Sequence, residues 1–194
     1  MIDQQAPRIA YTVNEAIMPR NKFVAGDTID GAAIQSTEHF VKAGQIRRSA
    51  EVVLATEFTF NWRLVSSNND PSVGGTGVCK SHRPVVGYMG TDGTLDLPSI
   101  QGQTFGRNGP VIKRVTVNEI SDDPERGTNT IKSRLDWVGR NHGSRKLVGG
   151  VDIRKTNFLY VDGHVETKHI KETIIPTFQW GEQCYSYQFG GAIQ

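Results

Sequence analysis

The stretch that most restricts this chain is Asn157-Phe158-Leu159-Tyr160-Val161, followed by Asp162-Gly163 and then His164-Val165-Glu166-Thr167. Two runs of β-formers separated by Asp-Gly predict a hairpin, because glycine and aspartate tolerate the backbone angles of a tight turn. A two-residue type I′ turn at Asp162 and Gly163 would set Val161 against His164, Tyr160 against Val165 and Phe158 against Thr167. Phe158, Tyr160 and Val165 would then share one apolar face.

Other segments carry the same period of two. Glu51 to Trp62 alternates Phe58, Phe60 and Trp62 with Glu57, Thr59 and Asn61, which predicts a strand buried on one face. Ile9 to Val13, Val85 to Met89 and Val111 to Ile120 read as further strands, joined by polar or glycine-rich connections at Ser66–Gly77, Thr91–Thr94, Asn108-Gly109 and Ser121–Asn129. A short helix is expected over Gln35 to Ala43, ended by Gly44. Ile131, Leu135 and Val138 fit a second helix by spacing, or a strand through Leu135 to Val138. The 21 glycines among 194 residues exceed the usual share of about 7%, as many short strands with many turns require. The fold expected is α+β and predominantly β, an antiparallel sheet with one or two short helices in a single domain spanning 1–194.

Charge narrows the function. There are 22 basic and 20 acidic side chains without blocks, so no basic stripe suggests a nucleic-acid partner. The densest basic group, Arg140, His142, Arg145 and Lys146, reads as a solvated loop, with a phosphate or glycan contact as the alternative. No stretch reaches the ~20 apolar residues of a membrane span. Cys79 and Cys184 lack metal-ligand spacing. They form either one disulfide, closing a loop of about 100 residues worth ~4–5 kcal/mol, or two buried thiols.

Strong enzyme patterns are missing: no phosphate loop, no dinucleotide fingerprint, no His-Glu-x-x-His and no nucleophile elbow. Asp162 and His164 can offer an oxygen and an imidazole to a metal, with His142 or His169 as a third ligand, although turn geometry already accounts for Asp162 and an outward strand position for His164. Asp122, Asp123 and Glu125 form an acidic loop with oxygens suited to calcium.

Gly139-Arg140-Asn141-His142-Gly143, with Asn157 through Glu166, resembles the prepilin-type processing-associated domain, a family named for a His, nine residues, then Asp-Gly. Arg47 to Glu57 resembles that family's segment ending in a strand and Glu. Ser81 to Val85, Phe178 to Gly181 and Tyr185-Ser186 resemble further segments in the same order. Nineteen residues (143 to 161) separate His142 from Asp162, which places an insertion of roughly ten around Lys146 to Ile153. Neither a prepilin cleavage site nor a long apolar N-terminal helix is present, so the likeness covers the globular head.

The resemblance implies a pilin-like head in which an antiparallel sheet packs on a helix. It implies a non-catalytic structural or interaction role in a type IV pilin-like or type II secretion pseudopilin-like protein of the cell envelope, periplasmic or on the outer surface. Its partners would be other pilin-like subunits, envelope proteins or further copies of itself, with membrane contact only through an N-terminal helix and no required cofactor. One alternative is a glycan- or ligand-binding module using Trp62, Trp137 or Trp180. A second is a metal-dependent hydrolase using His142, Asp162 and His164. At the C-terminus, Phe189 and Ile193 sit on an uncharged, glycine-rich tail that either frays or anchors on a sheet edge.

Overall fold

The structure is a computed structural model that describes residues 11–18, 28–29, 32–33, 41–59, 85–91, 93, 112–124, 131–144, 147–183 and 185. Its strands are β1 (Tyr11–Val13), β2 (Thr28–Ile29), β3 (Ala32–Ala33), β4 (Val53–Glu57), β5 (Tyr88–Gly90), β6 (Ile112–Arg114), β7 (Leu147–Val148), β8 (Val151–Asp152), β9 (Thr156–Tyr160) and β10 (Val165–Lys168). A four-stranded antiparallel sheet in the order β1-β4-β9-β10 forms the centre. The described residues also form three two-stranded antiparallel pairs, β2-β3, β5-β6 and β7-β8. The predominantly β architecture expected from the alternating segments is therefore present.

Helical structure among the described residues consists of 3-10 turns. The segment Ile131–Val138 is neither of its predicted forms. A turn over Arg134–Trp137 follows Ser133, whose N–H donates to the Asp136 side chain reaching back, and Val138 bridges Phe58. Of the helix expected over Gln35–Ala43, only the last three residues are described. There Lys42 is extended and Ala43 opens a turn, with φ −82° and ψ 141° at Lys42. Strand Val111–Ile120 is shorter than predicted, because Thr116 and Glu119 cap a turn at Val117–Glu119. Phe60, Trp62, the Ser66–Gly77 loop, Asn108-Gly109, Cys79, Cys184, Glu125, Arg145, Lys146 and the tail carrying Phe189 and Ile193 lie outside the described residues.

The hairpin forms with a register one residue away from expectation. Leu159 pairs with Val165 and Phe158 with Glu166. Gly163 N–H donates to Tyr160 O at 3.0 Å and Gly163 has φ 95°. The loop is thus three residues, Val161-Asp162-Gly163, a turn followed by a left-handed glycine. The shift moves Val165 off the core face: it is 59% exposed, whereas Phe158 and Tyr160 are buried.

The main core lies on the face of the sheet bearing Val53, Phe158 and Tyr160, joined by Val85, Met89, Val115, Ile120, Leu135, Val138, Ile170, Ile174 and Trp180. Phe158 meets Trp180 edge to face at 6.3 Å, and Trp180 Nε1–H donates to Thr173 Oγ1 at 2.9 Å. Asn14 ties the sheet to this layer by donating to Val53 O at 2.8 Å and Trp180 O at 3.3 Å. Two buried ion pairs flank the core, as the cost of desolvating their charges demands. Arg134 and Glu15 form an ion pair at 3.3 Å, and Arg154 grips the Asp152 carboxylate with its Nε and Nη2.

The opposite face is organised in rows. Pairing aligns Val13 with Ala55, Ala55 with Leu159 and Leu159 with Val165, an apolar row across all four strands. Toward the hairpin tip a smaller cluster of Ile17, Ile46, Val52 and Tyr185 covers Leu54 and Val161. Toward the other end the side chains turn polar: Glu57 beside Tyr11, then Asn157 opposite Thr167.

Candidate functional site

That polar end gathers side chains from distant parts of the chain. Glu57 is the last residue of β4, and Asn157 lies in β9 next to it. His142 joins them because its N–H and C=O pair with those of Lys155 at 3.0 Å each, extending the sheet by one bridge just before β9. His142 Nε2 lies 2.8 Å from Glu57 Oε1 and 2.8 Å from Asn157 Nδ2. Asn157 Nδ2 lies 3.0 Å from Glu57 Oε1. Thr156 Oγ1–H donates to the second carboxylate oxygen at 3.1 Å, and Thr167 Oγ1 contacts Asn157 Oδ1.

The environment is mixed. The Glu57 side chain is 12% exposed and that of His142 46%. Burial pushes the Glu57 carboxyl up, but its contacts with His142, Thr156 and Asn157 outweigh that and hold it below the ordinary carboxylate range. The group is a fixed anion beside an accessible imidazole. Thr156, the residue whose hydroxyl donates to this carboxylate, is itself buried, at 1% exposed.

The residues that the sequence pointed to are separated. Asp162 and His164 sit at the hairpin tip, beyond the far end of β9. His142 is held at Lys155, and the extended chain from Lys155 to Tyr160 spans roughly 17 Å at ~3.3 Å per residue. The proposed hydrolase grouping of His142, Asp162 and His164 therefore does not assemble. Asp162 and His164 instead serve the turn: His164 N–H donates to Asp162 Oδ1 at 3.2 Å, and the imidazole Nδ1 lies 2.6 Å from the same oxygen. The His164 ring also stacks on Tyr160 at 4.3 Å. The hydrogen bond from His164 holds the Asp162 carboxyl below its ordinary value.

His169, the other suggested ligand, is elsewhere again. Its Nε2–H donates to Asp152 O at 2.8 Å, and its Nδ1 accepts from Lys171 N–H at 3.3 Å. Burial pushes this imidazole below its ordinary value. In the acidic loop the Asp122 carboxylate is paired with Lys171, so among the described residues it faces a cation rather than other acids.

Arg140 is the clearest departure from the solvated basic loop. It is 4% exposed and donates from Nη1 to Asp122 O at 2.8 Å and from Nη2 to Ser121 O at 2.5 Å. Burial lowers its pKa, while the charges of Asp136 and Asp152 oppose that shift. Asp136, itself buried, accepts from Ser121 N–H at 2.7 Å, Ser121 Oγ–H at 2.9 Å and Lys132 N–H at 2.7 Å. These charges hold the loops under the sheet.

Of the three tryptophans, Trp180 is fully buried, and Trp137 packs between Phe58 and the Arg134 guanidinium. Neither presents a flat platform of the kind a sugar stacks on. Leu147–Val148 and Val151–Asp152 form the β7-β8 hairpin, turned by Gly149 and Gly150 at φ 59° and 85°. Sequence reasoning named His142 but missed Asn157 as its partner. The signal available was weak: a Glu at one strand end and an Asn at another strand start.

No protein-family model matches the chain, and no curated protein or solved structure matches it either.

Proposed function

We propose that this domain is a non-catalytic structural and interaction module, a pilin-like head that docks on other pilin-like or envelope subunits through the outer face of its central sheet. The observation behind this reading is the apolar row Val13, Ala55, Leu159 and Val165, which crosses the sheet and stays partly open, with Val165 59% exposed at the β10 edge. A monomeric sheet with water on its outer face normally alternates to polar residues there. Fully burying one such valine or leucine contributes about 1.5–3 kcal/mol, so a row of this size supports a moderate contact. The resemblance of the His142 and Asp162-Gly163 segments to the prepilin-associated domain supplies the class of partner and the envelope location. The full burial of Trp180 speaks against its use as a glycan platform.

The test is a photo-crosslinking amino acid at position 165 in the native cell. The reading expects an adduct with a chain that begins in a long apolar helix, or with a second copy of this protein. An adduct with neither, or purified protein that turns over a hydrolase substrate and loses that activity in His142→Ala, overturns it.

A further inference from the structure

While Glu57 carries no proton, the contacts among Glu57, His142 and Asn157 contain a conflict that no imidazole tautomer or amide orientation resolves. Three polar atoms, Glu57 Oε1, His142 Nε2 and Asn157 Nδ2, stand 2.8, 2.8 and 3.0 Å apart in a closed triangle. If Nε2 carries the proton and donates to Glu57, two N–H donors face each other across the His142–Asn157 edge. If Nε2 is bare and accepts from Asn157, two lone pairs face each other across the Glu57–His142 edge. Turning the Asn157 amide over puts Oδ1 in the triangle, and then the Glu57–Asn157 edge sets acceptor against acceptor. With the carboxylate ionised, every tautomer and amide orientation leaves one edge repulsive, and the triangle needs one positive charge, a proton on Glu57 or a cation, to settle it.

A cation also removes the conflict, because each of the three groups can turn a lone pair toward a positive charge. The size agrees. Ligands about 2.1 Å from a six-coordinate ion lie roughly 3.0 Å apart along an octahedral edge, against about 3.4 Å for a tetrahedron. We propose that His142 Nε2, Glu57 Oε1 and the Asn157 side-chain oxygen form one triangular face of a site for a first-row divalent cation such as Zn2+, Co2+ or Mn2+. The imidazole favours these ions over calcium and magnesium, which take oxygen ligands.

The surroundings suit the role. Thr156 Oγ1–H holds the second Glu57 oxygen and so orients the carboxylate, as outer hydrogen bonds do around metal ligands. The Thr167 hydroxyl, in contact with Asn157 Oδ1, can donate or accept and therefore serves either amide orientation. The main chain of His142 is clamped by its two bonds to Lys155, and its half-exposed ring gives the ion a way in from solvent. The proposal leaves the remaining coordination positions to water or to a carboxylate brought by a partner. This inference is independent of the docking reading.

The experiment uses the chelator-stripped full chain without a polyhistidine tag, titrated with Co2+ by calorimetry and visible absorption and melted with and without the ion. The proposal expects one equivalent of Co2+ to bind with the weak visible absorption of a six-coordinate ion and to raise the melting temperature. His142→Ala and Glu57→Gln should each weaken binding by at least about tenfold. Asn157→Asp, which adds a ligand charge, should tighten it by about tenfold, an effect a merely structural asparagine would not produce. Asp162→Asn and His164→Ala should leave it unchanged. Metal-free melts establish that each variant folds, and Asn157→Asp carries the test if Glu57→Gln does not. Absence of saturable binding, binding indifferent to His142→Ala, or loss of binding in His164→Ala overturns the proposal.

Discussion

Replacing Asp136 by Asn tests how the loops beneath the sheet are held. The carboxylate is buried and surrounded only by donors: Ser121 N–H on Oδ1, and Ser121 Oγ–H, Lys132 N–H and Ser133 N–H on Oδ2. Asparagine has nearly the same shape but turns one oxygen into an NH2 group. In its better orientation the amide oxygen replaces Oδ2 and keeps those three donors, so the NH2 meets Ser121 N–H head on. Two donors buried against each other cost about 1–3 kcal/mol each. Removing the buried charge returns part of this, since burial pushes the Asp136 carboxyl above its ordinary value. Arg140, which feels the Asp136 charge in its buried site, then loses a counterion. The expected net loss is about 2–4 kcal/mol, a large part of a total stability of ~5–15 kcal/mol. In urea denaturation followed by tryptophan fluorescence, this lowers the midpoint by roughly 1–2 M with the slope retained. Asp122→Asn is the control: its carboxylate is 51% exposed and paired on the surface with Lys171, so its loss should stay within ~1 kcal/mol. If both variants melt alike, the buried donors around Asp136 do not carry the weight assigned here.

Three further outcomes are expected. Gly163→Val should lose on the order of 1–2 kcal/mol in thermal melts, because φ 95° strains a β-branched residue even though its Cβ meets no neighbour; an unchanged melt would contradict the hairpin geometry. Gly87→Ala places a Cβ 2.3 Å from Trp180 Cβ, so the backbone or the Trp180 layer must move, and a loss of about 1–3 kcal/mol with altered near-ultraviolet dichroism is the readout. Burial depresses the His169 pKa from 6.5, helped by Arg140 and Lys171 and opposed by its bond to Asp152 O and by Glu172. Its contribution to stability is therefore present above pH 6.5 and lost as pH falls through the lower folded value. His169→Gln should flatten the stability profile just below pH 6.5 in melts across that range.

What could be read without coordinates was local. A run of β-formers marked β4, although the alternation expected at 57–62 is not seen at Glu57, Phe58 and Thr59, which are all buried; a period of two is present in β9, and Asp162-Gly163 marked the turn because its backbone angles admit few other residues. The predominantly β class follows from several such segments. The hairpin register was not legible: two- and three-residue loops both suit Asp-Gly. The choice fell to which side chains the sheet could bury, and it kept Phe158 and Tyr160 in the core while turning Val165 outward. The 134–137 turn was misread because apolar spacing alone does not reveal that the Asp136 side chain satisfies Ser121 and Lys132 N–H groups.

The polar constellation is wholly a product of tertiary structure. Glu57 and His142 are 85 residues apart and Glu57 and Asn157 are 100 apart. The β4-β9 pairing and the His142–Lys155 bridge alone bring them within 3 Å, and no local pattern encodes either contact. The burial of Arg140 has the same origin, since a glycine-flanked arginine reads as solvated until a neighbouring loop presents Ser121 and Asp122 carbonyls to it. Periodicity and turn chemistry act through a residue's own backbone and nearest neighbours, and therefore appear in the sequence. Which distant strands pair, and in what register, depends on the joint burial of side chains from the whole sheet, and only the folded chain decides it.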